Sequence, residues 1–258
     1  MPNPNPMTPL PALMVAPNGA RLGRDDHPAL PVTIPQILQT AQACFAAGAT
    51  GLHAHVRDAD GSHILDAGLY TELLAEMATT LPDMQVQITT EAVGQYAPPQ
   101  QRALVWDVRP AAVSVSLREM LADGETTEAR AFYHDTHAAN IAVQHILYDS
   151  HDIEQFVALM AAGFLPASPP QVLLVLGRYS DKLEAAPCEL PEMLTPLLSL
   201  NQTPDWAACA FGRHETACLK LAQSLGGKIR VGFENNTLNA DGSVAVDNAA
   251  RVTELMRP

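Results

Sequence analysis

Two periods alternate along the chain. Short apolar runs of strand character are followed by stretches in which apolar residues recur every three or four positions. Leu13-Met14-Val15 is the first strand candidate. Thr33-Ile34-Pro35-Gln36 reads as a capping box that opens a helix, Ile37, Leu38, Ala41 and Phe45 supply its stripe, and Gly48 closes it. The next strand runs from Thr50 to Val56, and Asp66 caps a helix whose stripe is Leu69, Tyr70, Leu73, Leu74 and Met77. Further strands are predicted at 85–90, 112–116, 142–147, 171–176, 206–210 and 228–233. Helices are predicted at 98–107, 126–139, 151–162, 188–199, 213–225 and 246–256.

Strand and helix alternate throughout, which implies an α/β protein with a parallel sheet. Eight such pairs in 258 residues suit a TIM (β/α)8 barrel, typically about 250 residues long. An open doubly wound sheet would normally carry a glycine-rich phosphate loop after its first strand. Pro17-Asn18-Gly19-Ala20-Arg21 is not one. Residues 1–11 carry a proline at nearly every second position and are expected to form a mobile tail. Residues 12–258 are expected to form one barrel domain, with no composition break inside it.

Composition narrows the function. Apolar residues make up 47 % and charged residues 17 % of the chain, enough for a large core. The net charge of −13 comes with no basic stripe, which argues against a nucleic-acid partner. No apolar run approaches the roughly 18 residues of a spanning helix, and the N-terminal residues lack a signal-peptide pattern. The expected location is the cytoplasm. The four cysteines, Cys44, Cys188, Cys209 and Cys218, form no C-x-x-C pair and read as reduced thiols.

The chemistry concentrates in two strands. In Leu52-His53-Ala54-His55-Val56-Arg57-Asp58, alternation puts His53, His55 and Arg57 on one face and the apolar residues on the other. Two imidazoles at the C-terminal end of a barrel strand suit a divalent ion of zinc type. A hydrogen-bonded pair of core histidines has the same spacing. In Lys228 to Asn236, Ile229, Val231 and Phe233 alternate with Arg230, Gly232 and Glu234. If this is strand eight, it stands one strand away from strand two, and Glu234 completes a three-ligand site with a fourth position open. A salt bridge between Arg230 and Glu234 at the rim is the plainer alternative. Ser114 and Ser116 share a face of strand four, and Thr89 and Thr90 end strand three. These hydroxyls are candidates for binding a substrate carboxylate.

With these residues in place, the chain resembles the β-keto acid cleavage enzyme family from about residue 14 onward. The resemblance rests on Ala16-Pro17-Asn18-Gly19-Ala20-Arg21, on Asp26 to Thr33, and on Ala47-Gly48-Ala49 leading into His53-x-His55-x-Arg57-Asp58. Leu65-Asp66 with Tyr70, Gln101-Arg102 and Arg230-Val231-Gly232-x-Glu234 extend it. It implies a TIM barrel, one Zn2+ per chain on His53, His55 and Glu234, and a homo-oligomer. It also implies the reaction of a β-keto acid with acetyl-CoA to give acetoacetate and a new CoA thioester. Arg230 and Asn235 fall at the catalytic positions. Asn18, Thr89, Ser114 and Ser116 are the candidate substrate-binding residues.

Three departures stand out. The family usually has Glu-Asp-Asn where this chain has Glu234-Asn235-Asn236, and an amide cannot act as a general base. Glutamates usual near the end of strand five are replaced in Gln144 to Asp149. A glycine-rich turn after strand three is replaced by Thr90 to Gly94. His145, Tyr148 and Glu91 are candidate substitutes for the missing acid–base groups. Two other readings remain open: a metal-dependent hydrolase or lyase on the same scaffold, and a barrel that binds a keto acid or CoA without turnover.

Overall fold

The computed structural model describes residues 7–180 and 183–257. Eight strands form a closed parallel barrel in chain order: β1 (Leu13–Val15), β2 (Gly51–Ala54), β3 (Gln85–Thr89), β4 (Ala112–Ser116), β5 (Ala142–Leu147), β6 (Gln171–Leu176), β7 (Asp205–Ala210) and β8 (Lys228–Val231). β8 pairs with β1, with Arg230 opposite Met14, and closes the ring. The helices are α1 (Ile34–Ala46), α2 (Ala67–Thr80), α3 (Pro98–Val108), α4 (Leu117–Met120), α5 (Thr127–Ala138), α6 (Ser150–Ala161), α7 (Glu189–Leu198), α8 (Glu215–Ser224) and α9 (Asn248–Met256). This is the TIM barrel expected from the alternation.

Caps fix where helices begin. The capping box at Thr33 is formed in full, with both the Thr33 and Gln36 side chains bonded back to the backbone. Asp66 caps α2 through the Leu69 N–H. The sequence pattern misses α4. It is a single turn started by Ser116, whose Oγ accepts from the Glu119 N–H, and one turn is too short to show a helical period.

Strand alternation sorts the barrel into two cores. Outward residues such as Val15, Leu52, Ala54, Val113, Val115, Val172, Leu174, Ile229 and Val231 join the helix stripes in one continuous cluster. Inward residues are mixed. β2, β3, β4 and β8 send in His53, Gln87, Thr89, Ser114, Ser116 and Arg230, all buried. β5, β6 and β7 send in Ile146, Leu173, Val175, Ala207 and Cys209, a separate apolar cluster that also includes Leu10.

The end of the segment expected as a tail meets the barrel at Leu10. Its N–H donates to Asp205 Oδ2 at 2.8 Å, and the Thr8 carbonyl accepts from Gln171 Nε2 at 2.7 Å. Leu10 and Pro11 are buried. An apolar residue and two bonded backbone groups join residues 8–11 to the barrel. Residues 1–6 of the expected tail lie outside the described residues.

Candidate metal centre and active site

Regular β2 ends at Ala54, two residues short of the strand expected at 50–56. His53 is the last inward residue of the strand and His55 lies just beyond it. Both are buried. Their Nε2 atoms lie 3.2 Å apart, and Glu234 Oε2 is 3.4 Å from each. A tetrahedral ion with bonds of about 2.1 Å to N and O holds its donors about 3.4 Å apart. The triangle therefore has the size of one face of a zinc coordination sphere. Glu234 Oε2 is buried and has no hydrogen-bond donor, as befits an oxygen shared between two ring nitrogens that are both bare.

Both rings present a lone pair, and the structure fixes this without appeal to the ion. The Val172 carbonyl only accepts, so Gln144 turns Nε2 toward it and Oε1 toward Gln87. Gln87 then offers Nε2 to Gln144 and Oε1 to His53. His53 Nδ1 must carry the hydrogen, and its Nε2 is bare. On the other side, His63 Nε2 donates to the Glu91 carbonyl at 2.9 Å. His63 Nδ1 is thereby an acceptor, and His55 Nδ1 donates to it at 3.3 Å. His55 Nε2 is bare as well. Orienting partners of this kind usually back metal-binding histidines.

Protonation agrees. Burial pushes His53 down to about 3, against the pull of Glu234. Burial and the neighbouring His55 push His63 down to about 3. Both rings are neutral at pH 7. Burial works against ionisation of Glu234, but the Arg230 guanidinium beside it outweighs this and holds the carboxyl well below its ordinary value.

Two glycines let the backbone bring Glu234 in. Gly232 has φ +143° after β8, and a Cβ there would lie 2.3 Å from the Ala16 carbonyl oxygen. That approach lets the Glu234 N–H bond Ala16 at 3.1 Å. Gly19 has φ +57°, and a Cβ there would sit 2.6 Å from Glu234 Cγ. The loop after β1 and the turn after β8 thus pack against each other around the carboxylate.

The ligand atoms lie in a cavity of about 360 Å3 at the C-terminal mouth of the barrel. Asn18, Thr89, Ser116, Arg230 and Asn235 line it, and Ser114 lies one layer deeper on β4. Asn18 spends its amide on the His55 backbone, accepting from N–H and donating to C=O. Thr89 Oγ1 accepts from the Glu91 N–H. Arg57 shares the buried face of the strand, but it turns to the loop after β1 and donates to the carbonyls of Asn18, Gly19 and Leu22. Arg230 spends one nitrogen on Glu234 at 2.9 Å and on Cys209 Sγ, while Nε and Nη1 are buried and unpartnered. Asn235 is 6 % exposed, and both its amide atoms lack partners. Asn236 differs, because its amide is held by Glu215, itself paired with the buried Arg251.

Of the candidate acid–base substitutes, Tyr148 and Glu91 line the cavity and His145 does not. His145 points outward between Tyr133 and Phe156. Glu119, which lines the cavity beside them, was not expected. Gln87 and His63 were also missed. Gln87 had a signal, since it alternates with Thr89 between apolar neighbours. His63 had none, because the turn that folds it back against Arg57 shows only in space.

The chain has relatives among known proteins. The chain is 25 % identical over 247 residues to a 3-keto-5-aminohexanoate cleavage enzyme of Fusobacterium nucleatum, covering 93 % of this chain and 87 % of the relative. It is 25 % identical over 251 residues to a 3-oxoadipate:acetyl-CoA acetyltransferase of Cupriavidus necator, covering 94 % and 86 %. Among solved structures, ObcA bound to oxaloacetate superposes with a TM-score of 0.72 at 17 % identity, covering 88 % of this chain. This chain spans 62 % of that longer one, and the likeness is one of fold. A 3-dehydroquinate dehydratase of Clostridium difficile shares the fold at a TM-score of 0.61. The model of the β-keto acid cleavage enzymes matches residues 12–258. By that match, which takes in both histidines and the carboxylate facing them, the chain belongs to the β-keto acid cleavage enzyme family.

Proposed function

We propose that this protein transfers the acyl part of a β-keto acid to CoA, using acetyl-CoA and releasing acetoacetate, with one zinc ion held by His53, His55 and Glu234. The observation that carries this reading is the triangle of two bare ring nitrogens and one undonated carboxylate oxygen, spaced 3.2 to 3.4 Å apart. Two imidazoles and a carboxylate are a zinc-type donor set with room for substrate at the fourth position. Bound there, such an ion supplies Lewis acidity to a keto oxygen.

The rest falls to the chain. Arg230 offers its unpartnered Nε and Nη1 to a substrate carboxylate or to the oxyanion of a thioester under attack. Asn235 presents a free donor and a free acceptor, so it binds and orients but takes no proton. Tyr148 sits well above the usual phenol range, through burial and then the nearby Glu119 and Glu91. It therefore keeps its hydrogen. Proton removal from the α-carbon is assigned to Glu91, whose Oε2 lies 3.8 Å from His55 Nδ1. Thr89 and Ser116 offer hydroxyls at the cavity wall.

Steady-state assays of acetoacetate formation from acetyl-CoA and a panel of β-keto acids test this reading. Turnover that needs acetyl-CoA supports it. Turnover without acetyl-CoA favours a hydrolase or lyase. The amide at Asn235 favours a second reading, binding without turnover, which binding of a keto acid with no product would support. Within the first reading, Glu91→Gln lowers kcat at least about 100-fold, the usual scale for loss of a general base. Asn235→Asp changes it little, because no proton passes through that position. A large gain in Asn235→Asp would contradict the assignment of Glu91.

A further inference from the structure

Arginines line the cavity at positions 21, 178 and 230, and two of them face a carboxylate. Arg230 holds Glu234, and Arg21 holds Glu91. Arg178 is different. Among the described residues it has neither an ion pair nor a hydrogen bond, although it is partly buried. Its guanidinium lies over the rings of Tyr179 and Phe211, with Cζ 5.4 Å from each centroid. Ring contacts hold a guanidinium in place without setting an anion against its charge. The turn that carries Arg178 is fixed as well. Gly177 follows β6 with φ +75°, and a Cβ there would run into the Ala185 backbone. Ser180 Oγ accepts from the Glu184 N–H at 2.8 Å. The Ala185 N–H bonds the Phe211 carbonyl at 2.9 Å and ties the turn to the end of β7.

The metal triangle and Arg230 belong to β2, β8 and the turn after β8. In a closed ring of eight, β6 stands across from β2. Ile146 of β5 and Val175 of β6 line the cavity on that far side, and both are buried. The acidic residues of the cavity stand on the other flank. Glu91 follows β3 and lies 3.8 Å from His55 Nδ1, beside the triangle, where it is the proposed base. Glu119 is on α4, after β4, and accepts from the Ala92 N–H and from Gln101 Nε2. A molecule whose keto and carboxylate oxygens sit at the triangle and Arg230 therefore crosses an apolar wall and ends at a cation.

We infer that the β-keto acid this protein selects carries a second carboxylate at its far end, bound by Arg178. The inference rests on the proposed β-keto acid reading and narrows it. A carboxylate fits the fork of N–H donors on a guanidinium, and the resulting hydrogen bonds are charge-assisted. The methylene groups between the two ends lie on Ile146 and Val175 and gain by leaving water. A methyl end would leave Arg178 without an anion. An ammonium end would meet a like charge.

The test is calorimetric binding of keto acids in matched pairs to zinc-loaded protein without acetyl-CoA, in wild type and in Arg178→Gln. The pairs are 3-oxoglutarate with 3-oxopentanoate, and 3-oxoadipate with 3-oxohexanoate. In at least one pair the wild type is expected to bind the diacid about 10-fold tighter, the scale of a charge-assisted hydrogen bond at a partly exposed site. Arg178→Gln is expected to cut that preference to about 2-fold or less, and Arg178→Lys to restore part of it, since a lysine keeps the charge but loses the fork. No preference for either diacid in the wild type overturns the inference. So does a preference that survives in Arg178→Gln. Acetyl-CoA is titrated into both proteins as well. A loss of acetyl-CoA binding in Arg178→Gln, with the diacid preference intact, assigns Arg178 to a CoA phosphate instead and overturns the inference. Turnover with acetyl-CoA is measured last. If a diacid binds best through Arg178 and no acid is turned over, the inference stands and the acyl-transfer reading falls. If none of the keto acids binds, both fall.

Discussion

Two backbone carbonyls decide which nitrogen of each site histidine is bare. Val172 acts on His53 through Gln144 and Gln87, and Glu91 acts on His55 through His63. Neither chain of contacts depends on a bound ion, so the donors are ready before one arrives. Replacing His63 with leucine frees His55 to take the other tautomer. Zinc affinity is then expected to fall about 10- to 100-fold, the usual effect of losing an outer partner, with the fold retained. Competition against a chelator of known affinity measures this, and an unchanged affinity would contradict the role given to His63. Gly19→Ala is a second test at this scale, because its Cβ must displace the Glu234 side chain. The three candidate ligands were legible in the sequence, since H-x-H on a strand and a carboxylate after an alternating run each leave a local pattern. Their supports were not. A glutamine, a turn histidine and a carbonyl have no sequence period, and they meet only through the barrel register that sets Gln87 beside His53.

At the scale of elements, alternation along the strands was the readable signal, and it located every strand to within a few residues. It failed where an element is one turn long, as in α4, and where an inward residue is distinguished by what faces it. His145 and Gln144 show the limit. They are neighbours on β5 with similar polarity, yet Gln144 points into the barrel and His145 packs among aromatic rings outside it. His145 therefore affects stability. Burial alone pushes it from 6.5 down to about 3. A histidine depressed in the folded state favours folding above pH 6.5, and that contribution is lost as pH falls from 6.5 toward 3. At pH 4 the loss comes to about 3 kcal/mol, at about 1.4 kcal/mol per pH unit. His145→Leu is expected to remove most of this acid sensitivity. Urea unfolding at pH 7 and pH 4 measures it, and an equal acid loss in the variant would contradict the account.

The whole molecule brings residues from the two ends of the chain to one rim. β8 closes onto β1, Glu234 packs against Gly19, and Asn248 ties Pro17 to Phe233. Closure of the ring places strand two and strand eight one strand apart, which is why two weak local patterns, one near residue 55 and one near residue 234, gain force together. The division of the interior into a polar and an apolar half was not legible in the same way. It requires knowing which strands stand opposite each other, and no local window of sequence contains that. Among the described residues, no helix is long and apolar enough to cross a membrane. The central claim is the metal on His53, His55 and Glu234, and the direct measurement is the metal content of protein purified without added metal, for wild type and for His53→Ala. The account predicts about one zinc per chain in the wild type, the stoichiometry of a three-ligand site, and loss of it in the variant. A wild-type protein that holds no metal even after zinc is offered, or a variant that keeps it, would contradict the claim.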